Sequence, residues 1–158
     1  MGDFMLSLYT PKYEDLWFKK TMMEDEETMS YNHTWGGTVP FPKKKWQGWY
    51  DHWIVNHENR RFYRYLKNEE GELVGEIAYR FDDILRGFVT DVIIHAKYRG
   101  RGYGSEGLDM LCQSAKENGI EILFDDIAID NPSVEMFLRH GFTEETRTEQ
   151  IVLVKKEL

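Results

Sequence analysis

A chain of 158 residues, 41% hydrophobic and 15% aromatic, has enough apolar side chains to bury one core and too many for a disordered segment. Twenty-eight acidic against twenty basic residues leave a net charge of −8, which argues against nucleic acid as a partner, because an acidic surface repels phosphate backbones. No run approaches the roughly 18 apolar residues of a membrane helix, and Met1-Gly2-Asp3-Phe4 lacks the basic start and apolar stretch of a signal peptide. The expectation is a single domain over 1–158, cytoplasmic, with no membrane partner.

Residues 4–9 alternate loosely and predict a first strand. Thr10-Pro11 offers a helix start, with Leu16, Phe18, Met22 and Met23 as the apolar positions and the acidic run 24–27 as its solvated end. Residues 30–42 hold Asn32, Gly36, Gly37, Pro40 and Pro42 and read as a long loop. A second helix is predicted over 43–57, with Trp46, Trp49 and Trp53 on one face, a stripe that reads as core. Strands at 62–66 and 73–81 flank the turn Asn68-Glu69-Glu70-Gly71, and residues 87–95, rich in Val and Ile, predict a third strand after them.

Residues 105–118 are expected to be helical. Leu108, Leu111, Cys112 and Ala115 form one apolar stripe, and Gly119 suits the position after a helix end. Cys112, the single cysteine, excludes an internal disulfide and reads as a small buried hydrophobe. A strand over 120–129, a short helix over 133–140 stopped by Gly141, and a closing strand over 148–154 complete the chain. This order predicts an α/β (α+β) sheet of mixed direction with helices packed on its faces.

The most informative segment lies between the third of these inner strands and the long helix. Lys97, Arg99 and Arg101 fall within five residues with no acid among them, and Gly100, Gly102 and Gly104 alternate with them. Glycines let backbone N–H groups converge on a ligand, and the first amides of a helix carry unpaired positive charge. A strand, a basic glycine turn and a helix start form a phosphate cradle; a tight turn with exposed arginines is the plainer alternative. Gly102-x-Gly104-x-x-Gly107 also matches the dinucleotide fingerprint formally, but it comes two-thirds along the chain with too little sequence after it for a Rossmann domain.

The run Ile94-His95-Ala96-Lys97-Tyr98-Arg99-Gly100-Arg101-Gly102-Tyr103-Gly104 resembles the acetyl-CoA motif of the GNAT acetyltransferase superfamily, departing from it where Ala96 replaces a proline. Asp130-Asn131-Pro132-Ser133 through Phe137 to His140-Gly141-Phe142 resembles that family's Asn-to-Gly-Phe segment. The resemblance covers nearly the whole chain. It implies a GNAT-like central mixed sheet, mostly antiparallel, of six to seven strands, splayed between the fourth and fifth, with helices on both faces. It implies acetyl-CoA as cosubstrate, with Arg99, Gly100, Arg101, Gly102, Tyr103 and Gly104 around the pyrophosphate, main-chain groups of Val92, Ile93 and Ile94 along the pantetheine arm, and Asn131 near the thioester. It implies acetyl transfer to a primary amine of a small molecule or peptide, and a possible homodimer; an acetyl-CoA-binding module without catalysis is the alternative.

Acetyl transfer to an amine needs a base for the ammonium proton and a donor for the acyl oxygen. Asp125 and Asp126 are two carboxylates in an otherwise apolar strand, which is costly unless they are exposed, paired or used. Aligned from Asn131, the family's strand acid is Asp126; aligned from Gly141, it is Asp125. Both could instead be structural or bind a cationic substrate. Glu76 is a further base candidate. The slot where relatives carry an acidic tyrosine holds Phe137. Tyr31, Asn32, His33, Trp35 and Trp46 are candidates to line the acceptor pocket, and a small cationic amine suits the surrounding acids. The five histidines show no ligand spacing with Cys or acids, so no metal is expected.

Overall fold

The structure, a computed structural model, describes residues 4–158. Its strands are β1 (Ser7–Tyr9), β2 (Arg61–Lys67), β3 (Leu73–Asp82), β4 (Gly87–Ile94), β5 (Ile122–Ala128), β6 (Thr143–Arg147) and β7 (Ile151–Glu157). They form one seven-stranded sheet in the order β1-β2-β3-β4-β5-β7-β6. All pairs are antiparallel except β4 with β5. β3 sits near the middle, and Val74 to Tyr79 are all buried, because this stretch has protein on both faces.

The α-helices are α1 (Leu16–Met23), α2 (Trp46–Tyr50), α3 (Tyr103–Glu117) and α4 (Ser133–Arg139). Period-two alternation sends Tyr63, Tyr65 and Ala78 to one face of the sheet, where they pack with Leu16, Phe18, Met22, Phe41 and Trp46 around α1 and α2. Leu66, Ile77 and Tyr79 face the other way. There they meet Leu108, Leu111, Cys112 and Ala115 of α3, and Phe137 of α4. Gly107 permits this approach: a Cβ there would stand 3.0 Å from Leu66 Cδ1 and 3.4 Å from Ile77 Cγ2. Cys112 is 7% exposed, and burial raises its thiol pKa, as expected of a packing residue.

Several boundaries differ from those expected. Thr10-Pro11 does not start a helix. The backbone stays extended at Lys12, a 3-10 turn covers Tyr13–Asp15, and Asp15 holds the entry by accepting from Lys12 N (2.9 Å) and Tyr9 OH (2.5 Å). The second predicted helix is three pieces: a 3-10 turn Lys43–Lys45, α2, and a π-helical turn Asp51–Val55. The 30–42 loop opens with a 3-10 stretch, Ser30–Trp35. Finally, β6 was not foreseen, and Ile129, the last residue of the strand expected over 120–129, lies beyond β5 and is exposed.

The feature that positions the site is the β4–β5 junction. These strands pair only at Phe88↔Leu123 and Val89↔Phe124. Thr90 Oγ1 donates to Phe124 O at 3.2 Å, and past that point the two strands part. The main-chain groups on the open side of β4 therefore have no strand partner there.

Candidate active site

The glycine turn leaves β4 through a 3-10 turn, Ala96–Tyr98, and enters α3 two residues earlier than expected. Gly100 and Gly102 have φ of 81° and 83°, the left-handed region that glycine adopts without strain. A Cβ at either position would meet nothing within 4 Å, so backbone conformation rather than space explains glycine there. The first bond into the helix is Glu106 N to Gly102 O, 3.1 Å. The amides of Tyr103, Gly104 and Ser105 are thus left without intrahelical acceptors, as at any helix start. Together with the left-handed glycines, they suit the phosphates of a coenzyme.

The Arg99 side chain is anchored by main-chain carbonyls. Its Nη1 donates to Glu27 O (3.0 Å) and its Nη2 to Thr28 O (2.5 Å), and the guanidinium lies 5.3 Å from the Tyr31 ring centroid. Ala96 N donates to Thr28 Oγ1 at 3.0 Å. The arginine therefore ties the glycine turn to the chain entering the 30–42 loop. Arg101 lies over the Tyr98 ring at 5.5 Å, outside the cavity lining.

A cavity of about 440 Å³ occupies the splay beside this turn. Val92, Ile93, Ile94, Arg99, Gly100, Gly102, Tyr103, Gly104, Asp125, Asp126 and Asn131 all line it, so the structure brings together nearly every residue singled out from the sequence. Asn131 Oδ1 accepts from Ser133 N at 2.9 Å at the entry to α4, which leaves its NH2 group as a donor. Phe137 also lines the cavity, but its ring is 4.9 Å from that of Phe142 and belongs to the core.

A second cavity, of about 280 Å³, is walled by Trp35, Trp53 and Tyr79, with Arg80 at one side. Asp91, Asp125 and Asp126 line both cavities, as do Asn32 and Trp35. Three carboxylates thus stand where the two spaces meet. Tyr31 lines only the first; His33 and Trp46 line neither, Trp46 being core and His33 facing Asp130 at 3.3 Å.

Alternation places Asp91 and Asp126 on the α1 side of the sheet and Asp125 on the α3 side beside Thr90. Asp91 is exposed to water at the cleft, and its enclosure by protein is partial. This enclosure, with the negative charge of Glu76 adding to it, raises its pKa to about 6, against the pull of Lys19 and Arg80. Asp125 is held well above the usual carboxylate range, first by burial and then by Asp91, with the Thr90 hydroxyl opposing. Asp126 is more open; burial and Asp82 raise it and Arg80 opposes. Glu76 lines neither cavity: it is 1% exposed and bonded to Lys19 and Tyr63. Among the described residues no group of three His, Cys, Asp or Glu side chains is arranged to hold a metal ion.

Asp91 escaped the sequence reading, although the signal was the one that exposed Asp125 and Asp126: a carboxylate inside a Val/Ile-rich strand. The arrangement combines amides for an anion, an open strand side for an extended arm, and three carboxylates of raised pKa as candidates for proton transfer.

The profile described as "Acetyltransferase (GNAT) family" matches residues 5–142. The chain is 26% identical over 111 residues to an uncharacterized N-acetyltransferase of Methanocaldococcus jannaschii, a match that takes in 66% of this chain and 48% of that protein, so it spans about half the relative's length. The fold is similar to the spermidine N-acetyltransferase of Vibrio cholerae solved with CoA and spermine, at a TM-score of 0.77 and 18% identity over 97% of this chain and 95% of that one. It is also similar to the yncA protein of Salmonella typhimurium solved with its cofactor acetyl-CoA, at a TM-score of 0.73 and 17% identity over 97% and 94%. The glycine turn, the splayed sheet and the profile match over most of the chain agree, and the chain belongs to the GNAT acetyltransferase family.

Proposed function

We propose that this chain is an N-acetyltransferase that moves the acetyl group of acetyl-CoA to a primary amine of a cationic small molecule or peptide. The observation that carries the reading is the set of three carboxylates shared by the cavity beside the glycine turn and the cavity walled by Trp35 and Trp53. Acetyl-CoA supplies the activated acyl group. The amides of Gly102, Tyr103, Gly104 and Ser105 hold its pyrophosphate, and the unpartnered side of β4 at Val92, Ile93 and Ile94 receives the pantetheine arm as an added strand would be received. A main-chain N–H of this stretch faces the acyl oxygen, and Asn131 steadies the arm.

The amine enters from the tryptophan-walled side. An ammonium suits the faces of Trp35 and Trp53, and Asp126 offers it a counter-charge. Asp91 Oδ takes the proton that the amine must lose before attack. Asp125, whose pKa is raised first by burial, returns a proton to the departing sulfur in place of the tyrosine whose slot Phe137 fills. Two carboxylates with pKa values driven to different heights divide acid and base work in this way. The spermine-bound neighbour supports polyamines as the first acceptors to try.

Release of CoA thiol, followed with a chromogenic disulfide, tests the reading, and the buried Cys112 contributes little background. Spermidine, spermine, lysine peptides, and neutral and acidic amino acids form the panel. Turnover highest with the cationic amines is expected. No thiol release with any amine, or preference for acidic acceptors, would overturn it.

A further inference from the structure

Behind the acceptor cavity lies a buried polar network that the proton transfers above do not use. Glu76 Oε1 accepts from Lys19 Nζ at 3.1 Å and from Tyr63 OH at 2.5 Å. Lys19 is itself only 8% exposed, and its Nζ lies 5.1 Å from the Trp49 ring centroid and 4.9 Å from that of Tyr63. An apolar pair of the same volume would hold α1 on the sheet at no desolvation cost, so a buried ion pair in this position calls for a use.

The sheet register suggests one. Glu76 pairs with Ile93 and Ala78 with Asp91, so Glu76 and Asp91 are diagonal neighbours on the same face of adjacent strands. The charged groups facing Asp91 are Glu76 and Arg80 on β3, Lys19 on α1 and Asp125 on β5; Asp126 lines the same cavities. The network also touches the acceptor wall, since Tyr63 packs on Trp49 at 4.7 Å and on Trp53 at 6.1 Å.

We propose that Lys19, Glu76 and Tyr63 are positioning residues for Asp91: the Glu76 carboxylate, fixed by the ammonium and the phenol, is a negative neighbour that strengthens Asp91 as a base. This rests on the reading of Asp91 as the group that takes the amine proton. Lys19 limits the effect, so the pair sets the strength of the base rather than simply maximising it. The raised pKa of Asp91 agrees with this arrangement, Glu76 acting upward and Lys19 downward.

The test is the titration of the Asp91 carboxyl by carbon-13 NMR, assigned with Asp91→Asn, together with the pH profile of kcat/KM. In Glu76→Gln the lysine cation is left beside Asp91, and its titration falls by about one pH unit, with the acid limb of the profile moving equally. In the double variant Lys19→Met, Glu76→Gln no buried charge is left unpaired, and Asp91 titrates between the parent and Glu76→Gln. The double variant also covers the case in which Glu76→Gln alone does not fold. An Asp91 titration that stays in place in the folded variants overturns the proposal while leaving Asp91 as the base. A parent profile whose acid limb survives Asp91→Asn removes the underlying reading, and the proposal with it.

Discussion

Asp91→Asn should make the protein more stable at neutral pH while disabling it. The folded state keeps the Asp91 pKa near 6, against an ordinary 3.8. Between these values the folded chain holds a proton that the unfolded chain has released, so stability falls as pH rises through this window. Above pH 6 the parent carries the full cost and the asparagine variant does not; below pH 4 the two converge. The gap between 6 and 3.8 sets a ceiling of about 3 kcal/mol. Water in the cleft screens the charge, so the working figure is about 1 kcal/mol. In a chain of this length that raises Tm by about 2–4 °C. Thermal unfolding at pH 4 and pH 8 reads it, and turnover should fall by about 10²–10⁴-fold. An asparagine variant no more stable than the parent at pH 8, or offset equally at both pH values, would refute the reasoning, because enclosure of the charge would then not be the cause.

Two further outcomes separate roles within the site. Arg99→Lys keeps the charge and loses the forked bonds to Glu27 O and Thr28 O; it should cost about 1 kcal/mol of stability and leave the salt dependence of acetyl-CoA binding unchanged. Unfolding curves and titrations at two ionic strengths check this. Trp53→Ala removes one wall of the acceptor cavity, and loss of a cation–π contact of about 1 kcal/mol should raise the acceptor KM about fivefold with the acetyl-CoA KM unmoved, which initial-rate kinetics will measure.

The glycine turn was readable because its constraint is local. Gly100 and Gly102 sit in left-handed backbone, and the cations and the helix stripe beside them mark the ends of their elements. The long helix was equally plain, its apolar spacing matching the residues buried on α3. β6 was not readable: Thr143–Arg147 is an edge strand, exposed at every position, with no apolar alternation to reveal it. The start of α1 was misplaced because the capping carboxylate, Asp15, acts through a 3-10 turn rather than at Thr10.

The candidate site shows the same division. Val92, Ile93, Ile94 and Asn131 could be placed by their spacing from recognisable motifs. The anchoring of the Arg99 side chain was not legible because its partners, the carbonyls of Glu27 and Thr28, are more than seventy positions away and carry no side-chain signal. Asp91 and its network with Lys19, Glu76 and Tyr63 depend on the register of β3 against β4 and on the docking of α1, neither of which composition or periodicity encodes.

The most direct test of the account is calorimetric titration of the chain with acetyl-CoA, alongside Gly104→Trp. Gly104 lines the cavity and lies outside the left-handed region, so the indole fills the coenzyme space without straining the backbone. The account predicts micromolar binding by the parent, roughly −8 kcal/mol, and none by a folded Gly104→Trp. A parent that binds neither acetyl-CoA nor a longer acyl-CoA, or a variant that binds as well as the parent, would contradict it.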